Sequence, residues 1–79
     1  MDPQPTLDHL KDGQSARIHE LKMSGTMRHR LLDLGFTAGA LVQCLQHSAS
    51  GDPVAYLIRG TVIALRQEDS RMIAVTAIG

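Results

Sequence analysis

The sequence is short of most residue types that carry chemistry. Its 79 residues hold one cysteine, no tryptophan and two aromatic side chains, Phe36 and Tyr56. A lone cysteine, Cys44, cannot close an internal disulfide, and no charged start followed by a long apolar run marks the N-terminal region as a secretory leader. Both features point to a reducing, cytoplasmic setting. So few aromatics leave out the stacking platforms of single-stranded nucleic-acid modules. Lys plus Arg number 8 and Asp plus Glu number 8, so there is no broad positive field to gather nucleic acid or anionic membrane. The apolar runs, such as Val62 to Leu65, fall far short of the roughly 20 residues of a membrane helix. Direct membrane insertion is not expected. The chain is also too short to order two separate cores against their conformational entropy.

What is present reads mostly as strands. "MDPQPT" has two prolines and no periodicity, so residues 1–6 are expected to form a flexible arm and residues 7–79 a single domain beginning near Leu7 and Leu10. "KDG" reads as a turn. From Gln14 to Leu21, Ala16 and Ile18 alternate with Arg17 and His19, the period of a strand with one buried face. The period then changes: Met27, Leu31 and Leu34 stand at i, i+4 and i+7, one helical stripe, with Ser24 or Thr26 available as the N-cap. Gly35 suits a left-handed helix stop, Phe36 can fold back onto the leucines, and Gly39 can turn the chain onward. "ALVQCLQH" suggests a strand with Val42 and Cys44 on one face, and "SASGDP" a loop. "VAYLIR" and "TVIALR" read as a hairpin with a tight turn near Arg59, Gly60 and Thr61. "QEDS" is one helical or 3₁₀ turn, and "RMIAVTAI" a last strand with Ile73, Val75 and Ala77 on one face. The expected fold is mainly β: a small five-stranded antiparallel barrel with one short helix after the first strand and a helical turn before the last.

Reaction chemistry is hard to find in this pattern. The metal-ligand candidates are His29 and Asp33, at i, i+4 on the helix, with His19 as a further histidine; a site needs three or four converging donors, and no CxxC, HxxH or HExxH spacing occurs. His9, His19 and His47 fall in separate elements, so periodicity cannot say whether they converge. Cys44 falls inside a strand, where it reads as a small buried apolar residue rather than a nucleophile. Ser24, Ser48, Ser50 and Ser70 sit in turns or caps, none in a nucleophile elbow, and no phosphate loop is present. An enzyme is not expected, and no cofactor is required, although Fe²⁺ or Zn²⁺ could be held adventitiously.

Three stretches, "RHRLLDLGFTAGALV", "SGDPVAYLIRG" and "VIALRQEDSRMIAV", together resemble the FeoA family (ferrous iron transport protein A) over about Leu7 to Val75. The likeness rests on Leu34 and Gly35 at the helix end, Gly39, the turn Gly51, Asp52 and Pro53, and the pair Leu65 and Arg66; Ala38 departs from it, where the family often has proline. The resemblance implies an SH3-like barrel, similar to the C-terminal domain of metal-dependent repressors. It also implies a cytoplasmic accessory that docks on the cytosolic portion of the ferrous iron permease FeoB and modulates Fe²⁺ uptake, without activity of its own.

The residues expected to form the docking surface are Met23, Met27 and Phe36, flanked by Arg28 and Arg30, because a barrel this small leaves apolar side chains uncovered and methionine suits an adaptable contact. The bland alternative is that the apolar three plug the barrel's open end. Self-association as a homodimer is a further partnership to test. Two other functions compete: a metal sensor or carrier, and a stand-alone SH3-like module binding proline-rich peptides, against which stands the scarcity of aromatics.

Overall fold

Alternation, not composition, decides where the first side chains go. The computed structural model describes residues 4–78. In β1 (Ser15–Leu21), Ala16 and Ile18 enter the interior while Arg17 and His19 stay outside, as a period of two requires. β2 (Leu41–His47), β3 (Val54–Ile58), β4 (Thr61–Leu65) and β5 (Ile73–Ala77) complete one antiparallel sheet in the order β4-β3-β2-β1-β5. Two interruptions bend it. The register shifts between Ile18 and Glu20 in β1 and between Cys44 and Gln46 in β2, each leaving one residue opposite no partner.

Helix α1 (Thr26–Leu34) stops through a Schellman arrangement. Gly35 is left-handed at φ 112°, its N–H donates to the Leu32 carbonyl at 3.1 Å, and the Phe36 N–H reaches back to Leu31 at 3.0 Å. This motif places the residue after glycine against the helix's last turns, and Phe36 and Leu31 are both fully buried. The helix start differs from expectation. Gly25, at φ 78°, holds the N-cap, so Ser24 falls before the cap and Thr26 within the first turn, and neither hydroxyl makes a capping bond.

The β3–β4 connection is the tight turn foreseen: Ile58 pairs with Thr61, and Arg59 and Gly60 between them both have positive φ, 50° and 78°. That is the type I′ geometry, whose twist matches that of the strands it joins. A single helical turn, α2 (Gln67–Ser70), leads into β5. In β5, Ile73 and Val75 are buried as expected, but Ala77 is exposed at the strand's end and Ala74 is covered instead, where it bridges to Thr6.

Residues 4–6 correct the expected flexible arm. The Val75 N–H donates to the Pro5 carbonyl at 2.9 Å, the Gln4 side-chain amide donates to the Val75 carbonyl, and Thr6 pairs with Ala74. This short segment covers the open edge of β5, satisfying backbone groups that a bare edge strand would expose. The remainder of the expected arm, residues 1–3, lies outside the described residues. A 3₁₀ turn at Leu7–His9 follows, burying Leu7 in the core. The core also holds both aromatics. Tyr56 and Phe36 are its largest fully buried side chains, and the Tyr56 hydroxyl donates to the Leu7 carbonyl at 3.4 Å.

Candidate functional site

The surface expected around the helix exit is largely interior. Phe36 has no exposed area, because the helix stop described above folds it under α1, so it is a core residue and not a docking one. Met23 and Met27 are half-buried and pack against the core cluster, nearer to the plug than to a free contact surface. Arg28 is half-buried, its guanidinium donating to the Leu21 carbonyl at 3.0 Å, which ties the helix start to the end of β1. Arg30 alone of the five is exposed.

Exposed apolar area lies elsewhere, on the outer face of the sheet. On β3, Ala55 and Leu57 point away from the core; on β4 their cross-strand partners Ala64 and Val62 do the same; on β2 the outward residues beside them are Leu41 and Gln43. Val62 is 62% exposed and Leu41 50%. An antiparallel sheet with one wet face ordinarily carries polar residues on that face. Here the outward positions of β3 and β4 hold no polar side chain, and a shallow groove runs beside them between Leu41 and Leu57, with Arg17 and Arg59 on its rim. Both arginines are also structural: Arg17 donates to the Gly39 carbonyl at 3.0 Å and Arg59 to the Thr37 hydroxyl at 3.1 Å.

The metal candidates do not converge. His29 and Asp33 lie exposed on α1, and His19 is exposed at the bulge of β1. Among the described residues, the one group of three ligand-type side chains within 4.8 Å of one another is Asp12, Cys44 and His47. Its assembly depends on the second bulge. On an uninterrupted strand, residues three apart face opposite sides. The shift between Cys44 and Gln46 resets that phase, so that Cys44 pairs with Tyr56 and His47 with Val54, two inward residues of β3. Cys44 and His47 therefore share a side. Asp12 arrives from the turn before β1, which is clamped to β2 by Gly13 N–H to the Cys44 carbonyl at 2.7 Å and Cys44 N–H to the Gln14 carbonyl at 2.8 Å.

Within the group, one Asp12 carboxylate oxygen accepts from the His47 backbone N–H at 3.1 Å, lies 2.5 Å from His47 Nδ1, and lies 4.0 Å from Cys44 Sγ. The His47 side-chain bond holds the Asp12 carboxyl below the usual carboxylate range. Burial, and then the Asp12 charge, push the Cys44 thiol up. Cys44 is thus kept as a neutral thiol, the opposite of an activated nucleophile. Among the described residues, no helix is long and apolar enough to cross a membrane.

The model of the FeoA domain matches residues 6–77, nearly the whole chain. This chain belongs to the FeoA family. It is 35% identical over 72 residues to an Fe(2+) transport protein A/Fe(2+) transporter FeoB fusion protein of Porphyromonas gingivalis, an alignment covering 91% of this chain and 8% of that protein. The chain thus spans a small fraction of that relative's length. Among solved structures, the FeoA protein of Chlorobium tepidum superposes with a TM-score of 0.90 at 28% identity, covering 95% of this chain and 71% of that one. FeoA of Stenotrophomonas maltophilia, solved with zinc and described as a prokaryotic SH3 domain protein, superposes with a TM-score of 0.77 at 27% identity, covering 90% and 88%. The bent five-stranded sheet of this FeoA domain is accordingly SH3-like.

Proposed function

We propose that this FeoA domain is a non-enzymatic accessory of ferrous iron transport that acts in the cytoplasm, docks on the cytosolic portion of a FeoB-type permease and modulates Fe²⁺ uptake. The observation that carries the reading is the fusion relative, in which a segment 35% identical to this chain is named as one protein with an Fe(2+) transporter. Covalent joining keeps two modules at an effective concentration that favours even modest contacts, and it is a natural arrangement for parts that work together.

The contact surface we assign is the outer sheet face bearing Leu41, Leu57 and Val62, with Arg17 and Arg59 at its rim. The outward positions of β3 and β4 carry no charge, which favours desolvation there, and the rim arginines, Arg17 directly beside Leu41 and Arg59 at the turn, favour a partner segment that is apolar at its centre and acidic at its edge. The buried, unactivated Cys44 thiol supports a role without catalysis.

The test is binding of the purified domain to the cytosolic portion of a FeoB-type permease. Val62→Asp is expected to weaken binding at least tenfold, about 1.4 kcal/mol, and to leave the fold intact. Met27→Ala and Arg30→Ala are expected to leave binding unchanged. Weakening by the helix pair and not by Val62→Asp would move the surface to α1, and absence of binding by the wild type would remove the docking reading. Sedimentation of the domain alone reports whether the same face self-associates.

A further inference from the structure

We propose that Asp12, Cys44 and His47 form a three-ligand site for a borderline-soft divalent cation of the zinc type. The site is independent of the docking face. It brings a carboxylate, a thiol and an imidazole to one side of β2, each with a ligand atom within 4.8 Å of the other two. The donor set selects the metal class. A thiolate disfavours magnesium and calcium, which take oxygen ligands, and a sulfur-nitrogen-oxygen triad suits zinc, with cobalt as its spectroscopic stand-in.

The geometry is close to what such an ion needs. With metal–sulfur bonds of about 2.3 Å and metal–nitrogen or metal–oxygen bonds of about 2.0–2.2 Å, tetrahedral donors sit roughly 3.3–3.6 Å apart. The Cys44 Sγ to Asp12 distance of 4.0 Å must close slightly, and the 2.5 Å contact between His47 Nδ1 and Asp12 must open as the ion replaces the shared hydrogen. Both adjustments fall to Asp12, whose side chain is exposed on a turn and can move, while Cys44 and His47 are held by the β2–β3 ladder. Binding replaces the Cys44 S–H bond with a sulfur–metal bond and releases that proton to solvent, while the hydrogen shared by His47 Nδ1 and Asp12 is exchanged through solvent to His47 Nε2, which leaves a neutral imidazole with Nδ1 free to ligate and no change of oxidation state. Three protein donors leave the fourth tetrahedral position to water, which reaches the site from the side where the Asp12 and His47 side chains are partly exposed.

The placement also explains the bulge. A Cys-x-x-His spacing on a straight strand would put sulfur and imidazole on opposite faces, and the single extra residue, Leu45, returns them to one.

The experiment is titration of the reduced, metal-free chain with Co²⁺ and then Zn²⁺, followed by absorption. The expected result is one equivalent of Co²⁺ bound with a sulfur-to-cobalt charge-transfer band, which Zn²⁺ displaces. The band is expected to vanish in Cys44→Ser, and Asp12→Asn and His47→Gln to weaken binding roughly tenfold or more. His29→Ala is expected to change nothing. Circular dichroism and thermal melting check each fold; should Cys44→Ser not fold, the two variants on the exposed side of the site decide. Cobalt binding without the sulfur band, binding indifferent to Asp12→Asn and His47→Gln, or no uptake at micromolar metal would each overturn the site.

Discussion

Arg59 lies across the face of Gly35: a β-carbon built on the glycine would come within 2.6 Å of Arg59 Cδ and 3.1 Å of its Cγ. Two demands therefore meet at one residue. Gly35 must be left-handed to end α1, and it must be bare to let the β3–β4 turn close over the helix exit, where the Arg59 guanidinium goes on to reach Thr37. The junction between helix and sheet is architecture: it fixes Phe36 in the core and seats the hairpin that carries the exposed face.

Replacing Gly35 with alanine should accordingly cost more than either demand alone. The left-handed conformation costs a residue with a side chain about 1–2 kcal/mol, and displacing Arg59 adds to it. Thermal melting is expected to fall by roughly 4–8 °C per kcal/mol for a domain of this size. In an Arg59→Ala background the steric part should disappear and the conformational part remain, so the double variant is expected to lose less than the sum of the two singles. Strict additivity would show that the Arg59 contact contributes nothing.

Phe36 and Met27 should separate in the same way. Both were expected on one contact surface, but Phe36 is fully buried and Met27 half-exposed. Phe36→Ala is expected to cost about 3–5 kcal/mol, a large share of the stability of a small domain. Met27→Ala should cost about 1 kcal/mol, the centre of the range for ordinary substitutions. Urea denaturation of the two variants measures both; equal losses would contradict the burial difference.

Much of the architecture was legible because it rests on short-range rules. The alternation of Ala16 and Ile18 with Arg17 and His19, the stop at Gly35, and the turn at Arg59 and Gly60 each follow from the geometry of a few adjacent residues. The site was not legible, since it depends on exceptions to those rules. A bulge at Leu45 cannot be read from "QCLQH", yet without it His47 faces away from Cys44, and the turn carrying Asp12 meets β2 through long-range contacts, the β1–β2 pairing and the Gly13–Cys44 bond beside it. The docking face was hidden differently. "VAYLIR" and "TVIALR" announce strands so strongly that the absence of any polar side chain on their outward positions passes unnoticed until the register pairs Leu57 with Val62 and Ala55 with Ala64.

Tyr56 makes a prediction about alkaline pH. Burial is the main reason its hydroxyl is pushed up to about 12, against an ordinary value near 10. Between those values the unfolded chain has lost the phenolic proton and the folded chain keeps it, so the unfolded state binds fewer protons and stability falls as pH rises from about 10 toward 12. Absorbance titration of the single tyrosine is expected to show a midpoint near 12 in the folded protein, or ionisation coincident with unfolding. Tyr56→Phe should remove the tyrosine signal and the share of the alkaline loss that Tyr56 carries between about 10 and 12, while the Cys44 thiol, also pushed up by burial, keeps its own share. A midpoint near 10 in protein that remains folded would contradict the burial of the hydroxyl.

Two valines on adjacent strands test which face of the hairpin is wet. Val54 is 1% exposed and Val62 62% exposed, although both lie in apolar runs of the same hairpin. Exchanging valine for threonine keeps the branched shape that strands favour and substitutes a hydroxyl for a methyl. At Val54 that hydroxyl must find a partner among core side chains, and an unsatisfied one costs about 1–3 kcal/mol. At Val62 it meets water, and the change should stay within about 0.5 kcal/mol. Chemical denaturation of Val54→Thr and Val62→Thr reads the difference directly. Comparable losses at both positions would mean that Val62 is covered within the folded chain, and the outer face could not then serve as the contact surface assigned to it.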